Sequence, residues 1–207
     1  MKTKNDKNYP VKEFPLKGLT GISDKTLEMH FKLYEGYVKA TNSLTRQIGE
    51  FLIDGQVDQE EMPAYSELTR RLGFEYNGMV LHELYFENLS SQESKGPQQG
   101  QISLQKAIED SFGSFDIWRA DFSSVGKMRG VGWAVCNINP ANGRVSNHWV
   151  SLHEFGNVAG FRPLLVMDVW EHAYLLDFKP SERGEYIERF LSHVNWDVFA
   201  KRLEGQS

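Results

Sequence analysis

The sequence predicts an α+β protein, with a helical first half and a mixed second half containing a small antiparallel sheet. Three observations carry this reading. Apolar residues recur at helical spacing through two long segments before residue 90, three short strand-like runs follow Gly130, and helical spacing returns at the carboxyl end. A chain of 207 residues that is 40% hydrophobic and 13% aromatic can bury a core without disulfide staples.

In chain order, Ser23 is the expected N-cap of a helix through LEMHFKLYEGYVKATNSLTRQIGEFL, with an interruption expected near Gly36. The polar stretch DGQVDQEEMPAYSE connects it to a second helical pattern over 65–89, where Gly73 and Gly78 are candidate local breaks. Two long helices joined this way form a helical hairpin. The stretch SSQESKGPQQGQ has no aromatic or β-branched residue and reads as a linker. The expected division is a hairpin domain over 1–90, a linker over 91–101 and a second domain over 102–207. In that second part, two short helices are broken at Gly113. VGWAVCNIN, RVSNHWVSL and RPLLVMDVW are strand candidates, the first two a hairpin around Pro140 to Gly143.

Composition narrows the function. A net charge of −5 with no long basic tract argues against nucleic acid as a partner, because that affinity comes mostly from Lys and Arg on phosphates. The opening residues, MKTKNDKNYPVKEFPLKG, lack the apolar h-region of a secretory signal, and no run of about 18 apolar residues offers a membrane span. A soluble cytoplasmic protein is expected. The one cysteine, Cys136, lies in GWAVCNI and is expected in the core.

The segment DVWEHAYLLDF, Asp168 to Phe178, follows the apolar run PLLVM with two acids and an imidazole within five positions. Burying such groups costs several kcal/mol each unless they are paired or bound to a cation. His30 and His82 stand singly among apolar neighbours, one on each long helix, and a hairpin can bring both inward. With Asp168 and His172 they would form a set of three imidazoles and one carboxylate, which suits Fe, Mn, Co or Zn better than Ca or Mg. Spacing alone leaves an alternative open, since D-x-x-x-H is also the spacing of an ion pair on one helix face.

Further strings extend the pattern: V-N-W (Val194 to Trp196), G-V-G-W-A-V (Gly130 to Val135), F-G-S-F (Phe112 to Phe115), N-G-x-x-L-H-x-L-Y-x-E-N (Asn77 to Asn88) and I-S-x-x-T-x-x-x-H (Ile22 to His30). With D-V-W-E-H-A-Y they resemble the iron/manganese superoxide dismutase family, in the family's order and from Tyr9 to Leu203. The resemblance implies a helical hairpin followed by an α/β domain with a three-stranded antiparallel sheet, and a metal between them. It implies one Fe or Mn ion per subunit on His30, His82, Asp168 and His172, superoxide anion as substrate, and an antioxidant role. It also implies that Glu171 reaches a ligand histidine of a second subunit, in a homodimer or a dimer paired into a tetramer.

The same resemblance assigns roles around the metal. Many relatives use a Gln to hydrogen-bond the metal's solvent, from the second helix or from the sheet. Here the helix position is Gly78, and the sheet-side candidate is His153, for which Gly78 would leave room. Tyr37 matches the proton-relaying tyrosine of the substrate funnel, and Trp133 and Trp170 match its walls. One departure stands out: the family form H-x-x-x-H-H-x-x-Y-V is one residue shorter here and lacks the paired histidines. Loss of a residue removes a π-bulge and straightens the helix. Tyr174 then needs a new partner across the dimer, with Tyr34 and Glu35 as candidates. Lys32 and Arg183 are the expected steering cations, and His148 and His193 are expected at the surface or an interface. Because the funnel could be altered, the alternative is a metal-binding homologue with peroxidase-like or no dismutase activity.

Overall fold

The computed structural model describes residues 8–205; the basic residues 1–7 and the last two residues lie outside the described residues. Helix α1 spans Asp24–Phe51 and begins where the Ser23 hydroxyl accepts the Thr26 N–H at 3.2 Å, satisfying one of the orphan donors of the first turn. Helix α2 spans Met62–Glu87 and packs along α1 as the second arm of a hairpin. Neither helix breaks at a glycine: α1 runs through Gly36 and α2 through Gly73 and Gly78, contrary to the expectation from sequence. The cost of a helical glycine, about 1 kcal/mol, is small beside the apolar stripes that the two helices bury against each other.

The second half holds α3 (Ile102–Phe112) and α4 (Phe115–Gly126), separated at Gly113, whose φ of 87° few other residues adopt. The sheet follows: β1 (Gly132–Ile138), β2 (Val145–Ser151) and β3 (Arg162–Asp168), antiparallel throughout, in the order β2-β1-β3. The expected α+β class with a three-stranded antiparallel sheet is therefore what the chain adopts. Every residue of β1 is buried, because the strand is central and covered on both faces, and Cys136 lies within it. The carboxyl-terminal pattern resolves into α5 (Arg183–Ser192) and α6 (Trp196–Leu203), the second capped by the Asn195 side chain.

Two latches fix the elements that matter. Asp177 accepts from the Ser23 N–H at 2.9 Å and the Thr26 hydroxyl at 2.6 Å, tying the segment after β3 to the first turn of α1. Asn88, fully buried, bolts the end of α2 to β3: its Oδ1 accepts the Val166 N–H at 2.9 Å and Arg202 Nη1 at 3.0 Å. Asn88→Ala strips partners from a buried N–H and a buried guanidinium, so a loss of about 1–3 kcal/mol is expected in denaturant unfolding. An unchanged midpoint would show that the latch carries no stability.

His193, expected at the surface or an interface, is buried within the chain at the end of α5, where its ring nitrogens face the Ser90 carbonyl at 2.9 Å and the Thr20 carbonyl at 3.2 Å. It joins three segments that lie far apart in sequence. His148 is partly buried in β2, with Nε2 2.7 Å from the Ser146 hydroxyl.

Candidate metal centre

Four side chains from separate elements meet at one point. His30 lies in the second turn of α1, His82 is one turn from the end of α2, Asp168 ends β3, and His172 sits in a short 3-10 turn, Glu171–Ala173. One ligand atom from each lies within 4.8 Å of the others. The Nε2 atoms of His30, His172 and His82 stand 3.0, 3.1 and 3.7 Å from the same Asp168 Oδ2.

The backbone aims each group. Asp168 Oδ1 accepts the Trp170 N–H at 2.8 Å, and its carbonyl accepts the Tyr186 hydroxyl at 2.7 Å, which leaves Oδ2 facing the imidazoles. His82 Nδ1–H donates to the Gly78 carbonyl at 2.6 Å, so its Nε2 carries a lone pair. That Nε2 is buried and has no hydrogen-bond partner among the described residues. An orphaned donor atom beside a buried carboxylate and two further imidazoles is what a transition-metal site leaves when only protein atoms are considered, so the residues fit the ion implied by the resemblance.

The electrostatics agree. Burial holds the His30 and His82 rings below the ordinary histidine range, His82 far below it, so both stay neutral and able to donate electron pairs. Burial pushes the Asp168 carboxyl up, but the imidazoles of His172 and His30 outweigh it and hold the group well below the usual carboxylate range. Aromatic rings close around the cluster. Phe86 lies 5.0 Å from the His30 ring, and Trp133, which pairs with Asp168 across the sheet, lies edge-on 4.9 Å from His82. Trp170 stacks between His153 at 5.0 Å and His172 at 5.8 Å.

His153 and Tyr37 form a chain of hydrogen bonds beside the cluster. The Trp133 indole N–H donates to His153 Nδ1 at 3.0 Å, and a neutral ring that accepts there carries its proton on Nε2, 2.9 Å from the Tyr37 oxygen. His153 is fully buried, and burial lowers it to about 4, which keeps the ring neutral. Burial, with Asp168 and Glu75 adding to it, raises Tyr37 to about 12, so the phenol keeps its proton. Because the Tyr37 oxygen accepts from His153, its own O–H is free for another acceptor. The loop that holds His153 is strained: Leu152 has φ 54°, and a Cβ on Gly156 (φ 107°) would come within 2.1 Å of the Trp149 carbonyl oxygen. Asn77 and Asn157 both donate to the His153 carbonyl, at 2.8 and 3.1 Å.

A family model for the carboxyl-terminal domain of iron/manganese superoxide dismutases matches residues 99–202. An iron superoxide dismutase of Aquifex pyrophilus is 34% identical over 188 residues, covering 90% of this chain and 86% of the relative. The chain belongs to the iron/manganese superoxide dismutase family. A manganese/iron superoxide dismutase of Aeropyrum pernix is 35% identical over 185 residues, covering 88% of this chain and 83% of its own length. An iron superoxide dismutase of Cupriavidus metallidurans is 33% identical over 190 residues, covering 89% and 90%.

Some expectations drawn from superoxide dismutase relatives take a different form here. The space over Gly78 is filled by the Tyr37 ring, not by His153: a Cβ there would meet ring carbons at 2.6 and 2.7 Å. Helix α1 runs regularly from His30 to Tyr37, and over this shorter spacing the tyrosine lands 5.0 Å from the His82 ring. Tyr34 is buried in a separate network, donating to Glu83 at 2.8 Å and accepting the Lys12 N–H at 3.1 Å, and Glu35 faces Lys39 at 3.6 Å. Tyr174 stacks on Tyr186 with ring centroids 5.3 Å apart. Arg183 donates to the Gly130 carbonyl at 2.9 Å and lies 5.8 Å from the Trp149 ring centre. Arg71, which no motif marked, lies over the Phe74 ring at 4.4 Å, and that ring packs on His153 at 4.6 Å.

Proposed function

We propose that His30, His82, Asp168 and His172 hold one iron or manganese ion per subunit and that the enzyme, an oxidoreductase, disproportionates superoxide to dioxygen and hydrogen peroxide. The observation that carries this reading is the convergence of three imidazole Nε2 atoms on Asp168 Oδ2, with the buried Nε2 of His82 left unpartnered. When bound, the ion supplies a one-electron couple that takes an electron from one superoxide and returns it to a second.

The chain's own residues do the rest. Two superoxide anions and two protons give one dioxygen and one hydrogen peroxide, so protons must arrive where charge builds up. The Tyr37 O–H is held beside the cluster by His153 Nε2–H and can give a proton to the reduced oxygen, to be replaced from solvent on the half-buried side of the ring. Trp133 fixes the tautomer of His153, and Trp170, Phe74 and Phe86 limit water around the cluster. Tyr37→Phe is expected to lower turnover about tenfold or more while metal content stays intact. His153→Gln is expected to shift turnover and the preference between iron and manganese, and an unchanged profile would remove the role given to His153.

The reading includes the division into a hairpin domain over 1–90, a linker over 91–101 and a second domain over 102–207. It also includes a cytoplasmic location; among the described residues no helix is long and apolar enough to cross a membrane. A homodimer, or a dimer paired into a tetramer, is supported by Glu171, exposed in its turn beside Leu175 and Leu176, which are 39% and 49% exposed. Sedimentation of wild type and Glu171→Ala tests the assembly, and a wild-type monomer would contradict it.

The deciding assay follows superoxide decay by stopped flow on iron-loaded, manganese-loaded and metal-free protein. Acceleration by a loaded form alone is expected. Peroxidase turnover without dismutation, or purified protein that binds no transition metal, would overturn the reading.

A further inference from the structure

An anionic substrate must approach a chain of net charge −5, so a local cation has to work against the global field. The way in lies on the side of Tyr37, Phe74 and Trp170, which are half-buried, and of His172, whose side chain is 19% exposed; His30, His82, His153 and Asp168 are sealed. On that side α2 presents Arg71, Phe74, Glu75 and Gly78 along one face.

The Arg71 guanidinium carbon lies 4.4 Å from the centre of the Phe74 ring, and that ring packs edge-to-face on His153 at 4.6 Å. Arg71 Nε donates to Glu75 Oε1 at 2.6 Å, and Nη2 contacts the same oxygen. The pair is not symmetric toward solvent. The Arg71 side chain is 47% exposed and that of Glu75 only 8%, so an arriving ion meets the guanidinium first, with the carboxylate behind it.

We infer that Arg71, pinned over Phe74 by Glu75, is the cation that draws superoxide to the mouth of the site and delivers it toward Tyr37 and His153. It is a positioning residue. The inference rests on superoxide as the substrate. Both charges also reach the buried groups, since Glu75 raises Tyr37 while Arg71 opposes it, and Arg71 opposes protonation of His153.

The test compares Arg71→Glu, Arg71→Gln, Arg71→Lys and Glu75→Gln in metal-loaded enzyme whose metal content and melting temperature are measured alongside. At low ionic strength kcat/KM is expected to fall roughly fourfold in Arg71→Glu and about twofold in Arg71→Gln, for charges acting through water at about 10 Å. Glu75→Gln is expected to raise kcat/KM about twofold. Arg71→Lys should recover most of the loss. These differences should vanish in high salt. A structural role alone would make both Arg71→Gln and Glu75→Gln slower and would leave the salt dependence unchanged. Azide, a small monoanion, titrated onto the iron-loaded protein and followed by absorbance, gives a readout independent of turnover: weaker binding in Arg71→Glu and tighter in Glu75→Gln. A wild-type enzyme without dismutation refutes the functional reading, whereas active variants with an unchanged salt slope and unchanged azide affinity refute the role of Arg71.

Discussion

Replacing Asp168 with asparagine is expected to cost the enzyme its metal and more than about 100-fold of its turnover. Loss of a residue that merely supports a ligand already costs about 10–100-fold, and Asp168 supplies the only carboxylate in the set. The amide keeps the shape and can still accept the Trp170 N–H through its oxygen, but it removes the negative charge around which three imidazoles gather. The metal-free variant should stay folded, because a neutral amide needs no charge partner at a buried position. The measurement is metal content by mass spectrometry with thermal unfolding of loaded and metal-free protein. Wild type should gain stability from added metal by mass action, and the variant should not. A variant that kept stoichiometric metal would remove Asp168 from the ligand set.

Gly78→Ala should be damaging where helix propensity alone predicts a gain of about 1 kcal/mol. The new Cβ would lie 2.6 and 2.7 Å from carbons of the Tyr37 ring, which is wedged between α2 and His153 and has no flexible end to swing aside. Overpacking of this kind costs about 1–3 kcal/mol, enough to cancel the propensity gain. The ring must shift, and the 2.9 Å hydrogen bond to His153 goes with it. Turnover is expected to fall further than in Tyr37→Phe, which keeps the ring in place, while metal content stays near that of wild type. Activity equal to wild type would mean that Tyr37 takes no part from this position.

The sequence made the large elements legible because burial patterns are local. The two hairpin helices, the break at Gly113 and the strands follow from periodicity and turn chemistry. The four clustered residues were legible only because motif strings tied them together, since the spacing of Asp168 and His172 also fits an ion pair. What escaped depends on contacts between distant residues. Tyr34 meets Glu83 49 positions away, and His193 meets Ser90 103 positions away, neither of which a local pattern encodes. The unbroken α1 and α2 show tertiary packing overriding glycine. Arg71 and Glu75 resemble any exposed i,i+4 pair until the fold sets Phe74 against His153. The left-handed Leu152 had no signal either, because a non-glycine residue gives no hint of positive φ.

The most direct measurement is anomalous diffraction at the iron and manganese edges from crystals of metal-loaded protein. The account predicts one peak per chain, enclosed by Nε2 of His30, His82 and His172 and a carboxylate oxygen of Asp168. A peak elsewhere, or none at a site where these four groups turn to other partners, would contradict it.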